Sequence, residues 1–302
     1  MRNRLRSLSG KDSLMLWLIA LPGVLYFLVF KYVPLLGNVI AFQDYSIFIG
    51  IWDSPWAGWK HFVFMFEYEE FMNILRNTLV LSFYTLFFGF PAPLLLALLL
   101  NELRQMLFKR TVQTLLYLPH FLSWIIVGGI FINLLAVDGL ANRAVEALGG
   151  QPVEFVSDSR FFRSVVVLTS MWKEVGWGMI IYLAAIAGIN PNLYEAAVMD
   201  GAGRWRQMVS ITIPSIAPAI VTLLLLRIGN MLDTNVEQIL VFLNPLVRDI
   251  GEVIDTYVYR VGLLNAQYSF TTAIGLFKSV IGLVLIVGLN HLSKRTTGQG
   301  LY

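Results

Sequence analysis

Residues 190–218 read Asn-Pro-Asn-Leu-Tyr-Glu-Ala-Ala-Val-Met-Asp-Gly-Ala-Gly-Arg-Trp-Arg-Gln-Met-Val-Ser-Ile-Thr-Ile-Pro-Ser-Ile-Ala-Pro, a polar island in a chain that is mostly apolar. The pattern predicts a short helix, a break and a second helix. Asn192 followed by Glu195 is a capping-box spacing with Asn in place of Ser or Thr. Pro191 stands just before it, where a missing N–H costs nothing. Gly201 and Gly203 stop the helix, because glycine turns the chain readily and loses most entropy on ordering. Pro214 and Pro218 then mark the start of the next apolar run. A polar two-helix elbow between membrane spans suits docking on something outside the membrane.

The rest of the chain supplies those spans. Of its 302 residues 57% are hydrophobic and 14% charged, against about 25% charge in soluble domains, and the mean hydropathy is +0.69. This is the composition of a membrane protein. The absence of cysteine excludes structural disulfides and thiol chemistry. A net charge of +3, scattered along the chain, gives no footprint for nucleic acid. Residues 1–13 carry Arg2, Arg4, Arg6 and Lys11 and precede an apolar run long enough to span, about 20 residues, with no cleavage site after it. They read as a cytoplasmic segment followed by a signal anchor at 14–34. Residues 35–71, with Trp52, Trp56 and Trp59, read as extracytoplasmic and partly interfacial. Residues 72–292 form a core of five spans, the first kinked at Pro91 and Pro93, and 293–302 form a cytoplasmic tail. The spans of that core are expected at about 73–100, 114–136, 161–189, 214–232 and 271–292. The fold class is therefore all-α: six transmembrane helices, both termini cytoplasmic, and the 190–214 elbow in the cytoplasm between spans four and five. Charge supports that orientation, since eleven of the 22 Lys and Arg fall in the cytoplasmic pieces and five in the external ones.

Catalytic chemistry is missing. No phosphate-binding Gly-x-x-x-x-Gly-Lys occurs, and His61, His120 and His291 match no metal spacing. Ionisable groups inside spans are functional candidates instead. Arg76 and Arg163 are expected to snorkel to the outer interface, and Lys278 to serve as a buried ion-pair partner. Lys173 and Glu174 flank the elbow on one side, with Ser170 and Trp177. Arg227, Asn230, Asp233, Thr234, Asn235 and Glu237 flank it on the other. Polar and aromatic groups at membrane depth suit a sugar, whose hydroxyls need hydrogen bonds and whose ring faces stack on aromatic rings. Lys173 and Arg227 together would meet the carboxylates of an acidic sugar. If they pair internally with Asp233 or Glu237, the path suits neutral sugars. Residues 244–269, polar and aromatic, are expected to face outward as a binding-protein contact.

Glu195-Ala196-Ala197, three residues, Gly201, nine residues, Ile211, one residue, Ile213 and Pro214 resemble the EAA loop of ABC-importer permeases, with Ile213 where that pattern has Leu. Asp200 and Ala202 extend the match, and Asn77-Thr78 and Leu118-Pro119 resemble the same class. Within it the chain is most similar to carbohydrate permeases for oligosaccharides and polysaccharides, including alginate and aldouronate importers. The resemblance implies that Glu195, Ala196, Ala197, Asp200, Gly201, Ile211 and Pro214 couple to the ATPase. It implies a second homologous permease subunit, two ATP-binding subunits and an extracytoplasmic solute-binding protein as partners in a bacterial cell membrane. It also implies a chain that is no enzyme by itself and binds no cofactor, with ATP and Mg held by the partner ATPase. A secondary transporter or channel is the alternative, but such proteins often show internal repeats and none is found here. An enzyme would need a carboxylate motif, and Asp249, Glu252 and Asp255 form no recognisable one.

Overall fold

The protein is described here by a computed structural model, which covers residues 10–298 and 300. Arg2, Arg4 and Arg6 lie outside the described residues, as does part of the 293–302 tail. Within the described residues the chain is helical, with one isolated β-bridge between Gln43 and Trp56. Five helices are long and apolar enough to cross a membrane: Leu14–Phe42, Glu69–Asn101, Trp124–Ala147, Arg204–Gly229 and Tyr268–Arg295. Ser159–Ala187 and Pro191–Met199, bent by 69° at the break between them, pass the same test only as a pair, so the described residues hold five such helices, or six if this pair is one span.

Contacts divide the chain into two units. The first takes the chain through Met65 together with Val261–Leu276. Its helical run continues to Phe42, past the expected end of the first span at residue 34. The side chains of that run are exposed almost throughout, as befits an apolar rod without partners. Beyond it the chain folds back on itself, with Phe42 stacked on Trp56 at 5.9 Å and edge-on to Trp59 at 5.3 Å. Lys60 pairs with Asp44 at 2.8 Å, and this ammonium holds the Asp44 carboxyl below its ordinary value. Trp52 is 96% exposed, in keeping with an interfacial segment.

The second unit comprises Phe66–Arg260 and the chain from Phe277 onward. Glu69–Gly89 and Pro91–Asn101 are two helices meeting at Phe90, because Pro91 offers no N–H to the preceding turn. At the second prediction for this core the chain departs from expectation. The span placed at 114–136 is instead two helices, Met106–Tyr117 and Trp124–Leu135. Pro119 and the Ser123 N-cap, which accepts from the Ile126 N–H at 3.3 Å, end one and start the other. Ser159–Ala187 is the hub, packing against Glu69–Gly89 and Pro91–Asn101, against Met106–Tyr117 and against Ile213–Gly229. Its glycines permit that closeness. A Cβ on Gly176 would collide with the Leu116 carbonyl, and one on Gly178 would meet Pro93 at 3.1 Å. Two apolar cores result, one around Phe162, Val166 and Phe242, the other around Met179, Tyr182 and Ile216.

Charged and polar groups take part in this packing. Arg163 is half-buried, and its guanidinium donates to Asn77 Oδ1 at 2.8 Å and to the Ile250 carbonyl at 3.3 Å. Arg76 is exposed. Residues 244–260 are ordered by this packing as well. They form short helices with Val247, Glu252, Val253, Ile254, Thr256 and Tyr257 buried. Asn77 donates to the Asp249 and Glu252 carbonyls and Thr78 Oγ1 accepts from the Ile254 N–H, which ties this segment to the first core span. Glu252 is reached by Arg260 at 2.7 Å and by Arg248 at 3.3 Å, and Arg260 also reaches Glu70 at 2.8 Å. Hydrogen bonding to Glu252, more than that to Glu70, pushes Arg260 still further above its ordinary value.

Candidate functional site

The elbow forms as two helices with an ordered corner. Pro191–Met199 is capped by Asn190, whose side chain accepts from the Asn192 N–H at 3.0 Å. The cap is thus two residues earlier than the Asn192–Glu195 spacing suggests, and Pro191 occupies the first helical position. At the other end the Ala202 N–H reaches the Ala197 carbonyl at 2.8 Å and the Gly201 N–H reaches Val198 at 3.0 Å. That pair of bonds is a Schellman ending, and it needs Gly201 at φ +75°. Gly203 is extended and begins the next helix. This helix runs without a break through Pro214 and Pro218 to Gly229. A wider π-turn at Met208–Thr212 absorbs the bond that Pro214 cannot donate.

Side chains lock the corner. Tyr194 Oη lies 2.8 Å from Thr212 Oγ1, and Gln207 donates to the Ala202 carbonyl at 2.7 Å. Arg204 stands 3.8 Å from Glu102 on the neighbouring turn. Glu195, Ala196, Asp200 and Gly201 face outward, Ala197 and Ile211 are half-buried and Pro214 is exposed. Glu195 makes no hydrogen bond or ion pair with any described residue. Around it Leu193, Val198 and Met199 are exposed, Met199 at 87%.

Behind the elbow lies a cavity of about 640 Å³, within the range of about 300–1,000 Å³ common for ligand sites. Ser170, Glu174, Trp177, Arg227, Asn230, Asp233, Thr234 and Asn235 all line it. Lys173 does not. It is 6% exposed and donates to the His120 carbonyl at 2.7 Å, with Glu174 at 3.4 Å and the Trp124 ring 5.4 Å away. Adjacent residues on a helix rarely pair, but here both reach the break at Leu118–Phe121, where His120 Nδ1 meets Glu174 at 2.8 Å. The His120 ring also lies flat on Trp177, centroids 4.5 Å apart. Asp233 pairs with Lys278 at 2.7 Å. Glu237 is exposed and lies off the cavity. Arg227 alone of the charged lining residues has no partner among the described residues.

Sequence reasoning missed Trp124, Ser82 and Gln238, which also line the cavity. Gln238 closes the polar stretch that begins at Asp233, and that stretch was the available signal. Ser82 is 8% exposed and its hydroxyl has no partner. Nothing in its apolar surroundings in the sequence marks it.

Comparison with known proteins places the whole chain beside known permeases. The sequence profile of the binding-protein-dependent transport system inner membrane component matches residues 89–298. Protein LplB of Bacillus subtilis (strain 168) is 48% identical over 95% of this chain and 91% of its own. The polygalacturonan/rhamnogalacturonan transport system permease protein YteP of the same organism is 50% identical over 95% and 90%. Among solved structures, a chain of a bacterial alginate ABC transporter, in complex with an alginate pentasaccharide-bound periplasmic protein, superposes with a TM-score of 0.89. It is 40% identical, and the match covers 96% of this chain and 98% of that one.

Proposed function

The chain belongs to the family of binding-protein-dependent transport system inner membrane components, and from that membership we propose a specific task for it. It forms half of the path by which an acidic oligosaccharide or polysaccharide fragment enters a bacterial cell. A second, homologous permease supplies the other half, two ATP-binding subunits dock below and an extracytoplasmic solute-binding protein delivers the sugar. All six spans cross the membrane with both termini in the cytoplasm. Glu195 on the cytoplasmic elbow pairs with a basic group of the ATPase, while Ala196 and Ala197 let the helix enter a groove. ATP-driven closure of the ATPases then moves this helix and the spans it caps.

The observation that carries the acidic substrate is Arg227. Both carboxylates on the cavity wall, Glu174 and Asp233, already have cationic partners or hydrogen-bond donors, whereas the Arg227 guanidinium has none. Lys173 has no part in ligand charge recognition, since its ammonium is committed to the His120 carbonyl and Glu174. The names of two relatives point the same way: polygalacturonan and alginate are both polyanions. A hydrogen bond to a charged partner contributes about 1.5–3 kcal/mol. Arg227→Gln should therefore cut uptake of tetragalacturonate by about tenfold or more, and uptake of arabinotetraose by less than twofold. Equal losses for the two sugars would sink the acidic-substrate reading.

A further inference from the structure

The polar edge of the cavity, Asp233-Thr234-Asn235, has little backbone support of its own. The helix before it ends at Asn230 and the next begins at Val236, capped by the Asn235 side chain on the Gln238 N–H at 3.0 Å. Between them the edge is pinned from behind. Asp255 Oδ2 accepts from the Thr234 N–H at 2.7 Å and from its hydroxyl at 2.9 Å. The other oxygen of Asp255 takes Lys278 Nζ, and the same ammonium reaches Asp233 Oδ1 at 2.7 Å. Asp255 and Lys278 are 18% and 16% exposed at the side chain and do not line the cavity, whereas Asp233 is 62% exposed and does.

We propose that Lys278, anchored by Asp255, is a positioning and specificity-determining residue of the substrate path. It holds the Asp233–Asn235 edge in place and, shared with Asp255, supplies the cation that offsets the Asp233 carboxylate, which would otherwise repel a polyanion more strongly. The inference rests on the acidic-substrate reading above. Glu174 has its own compensation in Lys173 and His120, so Asp233 is the carboxylate whose charge depends on a residue outside the cavity. With Lys278 in place, the charge that Asp233 presents on the wall beside Arg227 is partly offset. Without it, Asp233 adds a bare negative charge to the same wall. A merely structural ion pair would instead affect every ligand alike.

The test is equilibrium binding of fluorophore-labelled tetragalacturonate and arabinotetraose to the assembled transporter in nanodiscs, without binding protein, so that the cavity alone is read. Lys278→Met should weaken tetragalacturonate about tenfold, the effect of one bare charge some 7 Å away at an effective dielectric constant of about 40. Arabinotetraose should change by less than about threefold. Lys278→Arg, and the double variant Lys278→Met with Asp233→Asn, should both return tetragalacturonate to within about threefold of wild type. Equal weakening of both sugars by Lys278→Met, or failure of Asp233→Asn to restore, overturns the inference. If Lys278→Met does not assemble, Asp233→Asn alone decides. It leaves the Lys278–Asp255 pair intact and should tighten tetragalacturonate by about threefold or more, and no change overturns the inference. A wild-type complex that binds arabinotetraose but not tetragalacturonate overturns the acidic-substrate reading, and this charge role with it.

Discussion

Gly201 allows the coupling role of the elbow to be tested apart from folding. Its φ of +75° lies in the left-handed region, and a Cβ added there would meet nothing within 4 Å. Substitution therefore costs only backbone strain, about 1–2 kcal/mol for a residue with a side chain. Asn tolerates this region better and should cost less. A penalty of this size shifts the population of the Schellman ending by about 5–30-fold. Glu195, six residues earlier on the same short helix, would then be misaimed in a matching share of molecules. Because the site is exposed and the rest of the bundle does not lean on it, assembly and thermal stability should hold. The assay is substrate-stimulated ATP hydrolysis and uptake by the reconstituted complex. Gly201→Ala should lower uptake more than hydrolysis, Gly201→Asn should lie near wild type, and Gly201→Trp should be worst because its ring adds bulk on the docking face. If Gly201→Trp transports normally, the elbow is not the docking site. If Ala and Asn are equally damaging, backbone conformation is not the cause.

Two further outcomes follow from the placement of charged and exposed side chains. The chain has no cysteine, so single replacements report topology cleanly. Met199→Cys, at a position 87% exposed, should react with a membrane-impermeant maleimide only from the cytoplasmic face, and Leu246→Cys, 73% exposed, only from outside. Any other pairing of sides overturns the proposed orientation. Arg163→Met strips two hydrogen bonds from a guanidinium inside the bundle. It should destabilise the permease by about 2–3 kcal/mol, seen as a lower melting midpoint in detergent. The exposed Arg76→Gln should stay within about 0.5 kcal/mol, and an equal loss at both sites would return Arg163 to the interface.

Much of the functional layout was legible from residue type and spacing alone. The helix–break–helix of the elbow follows from Pro191, the Asn residues, Gly201 and Gly203, because caps and left-handed turns are local events. The boundary error, Asn190 rather than Asn192 as cap, came from two Asn residues that both suit the role. The polar residues of the cavity stood out because charges and amides in apolar runs are rare. Ser82 carried no such mark, since a serine in a span is ordinary.

What the sequence by itself determined is therefore the set of spans, the elbow and the list of polar groups at membrane depth. What only the tertiary structure decided is which of those groups remain free. Lys173 and Arg227 looked alike as cations flanking the elbow. Yet Lys173 is consumed by a carbonyl 53 residues away, and Lys278, rather than either of them, meets Asp233 and Asp255. The physical reason is rotational. Spans that are apolar on nearly every face carry no periodicity that records which side faces the bundle. The direction of each charged side chain is then set by long-range packing, such as that of Gly176 against the backbone of the preceding helix.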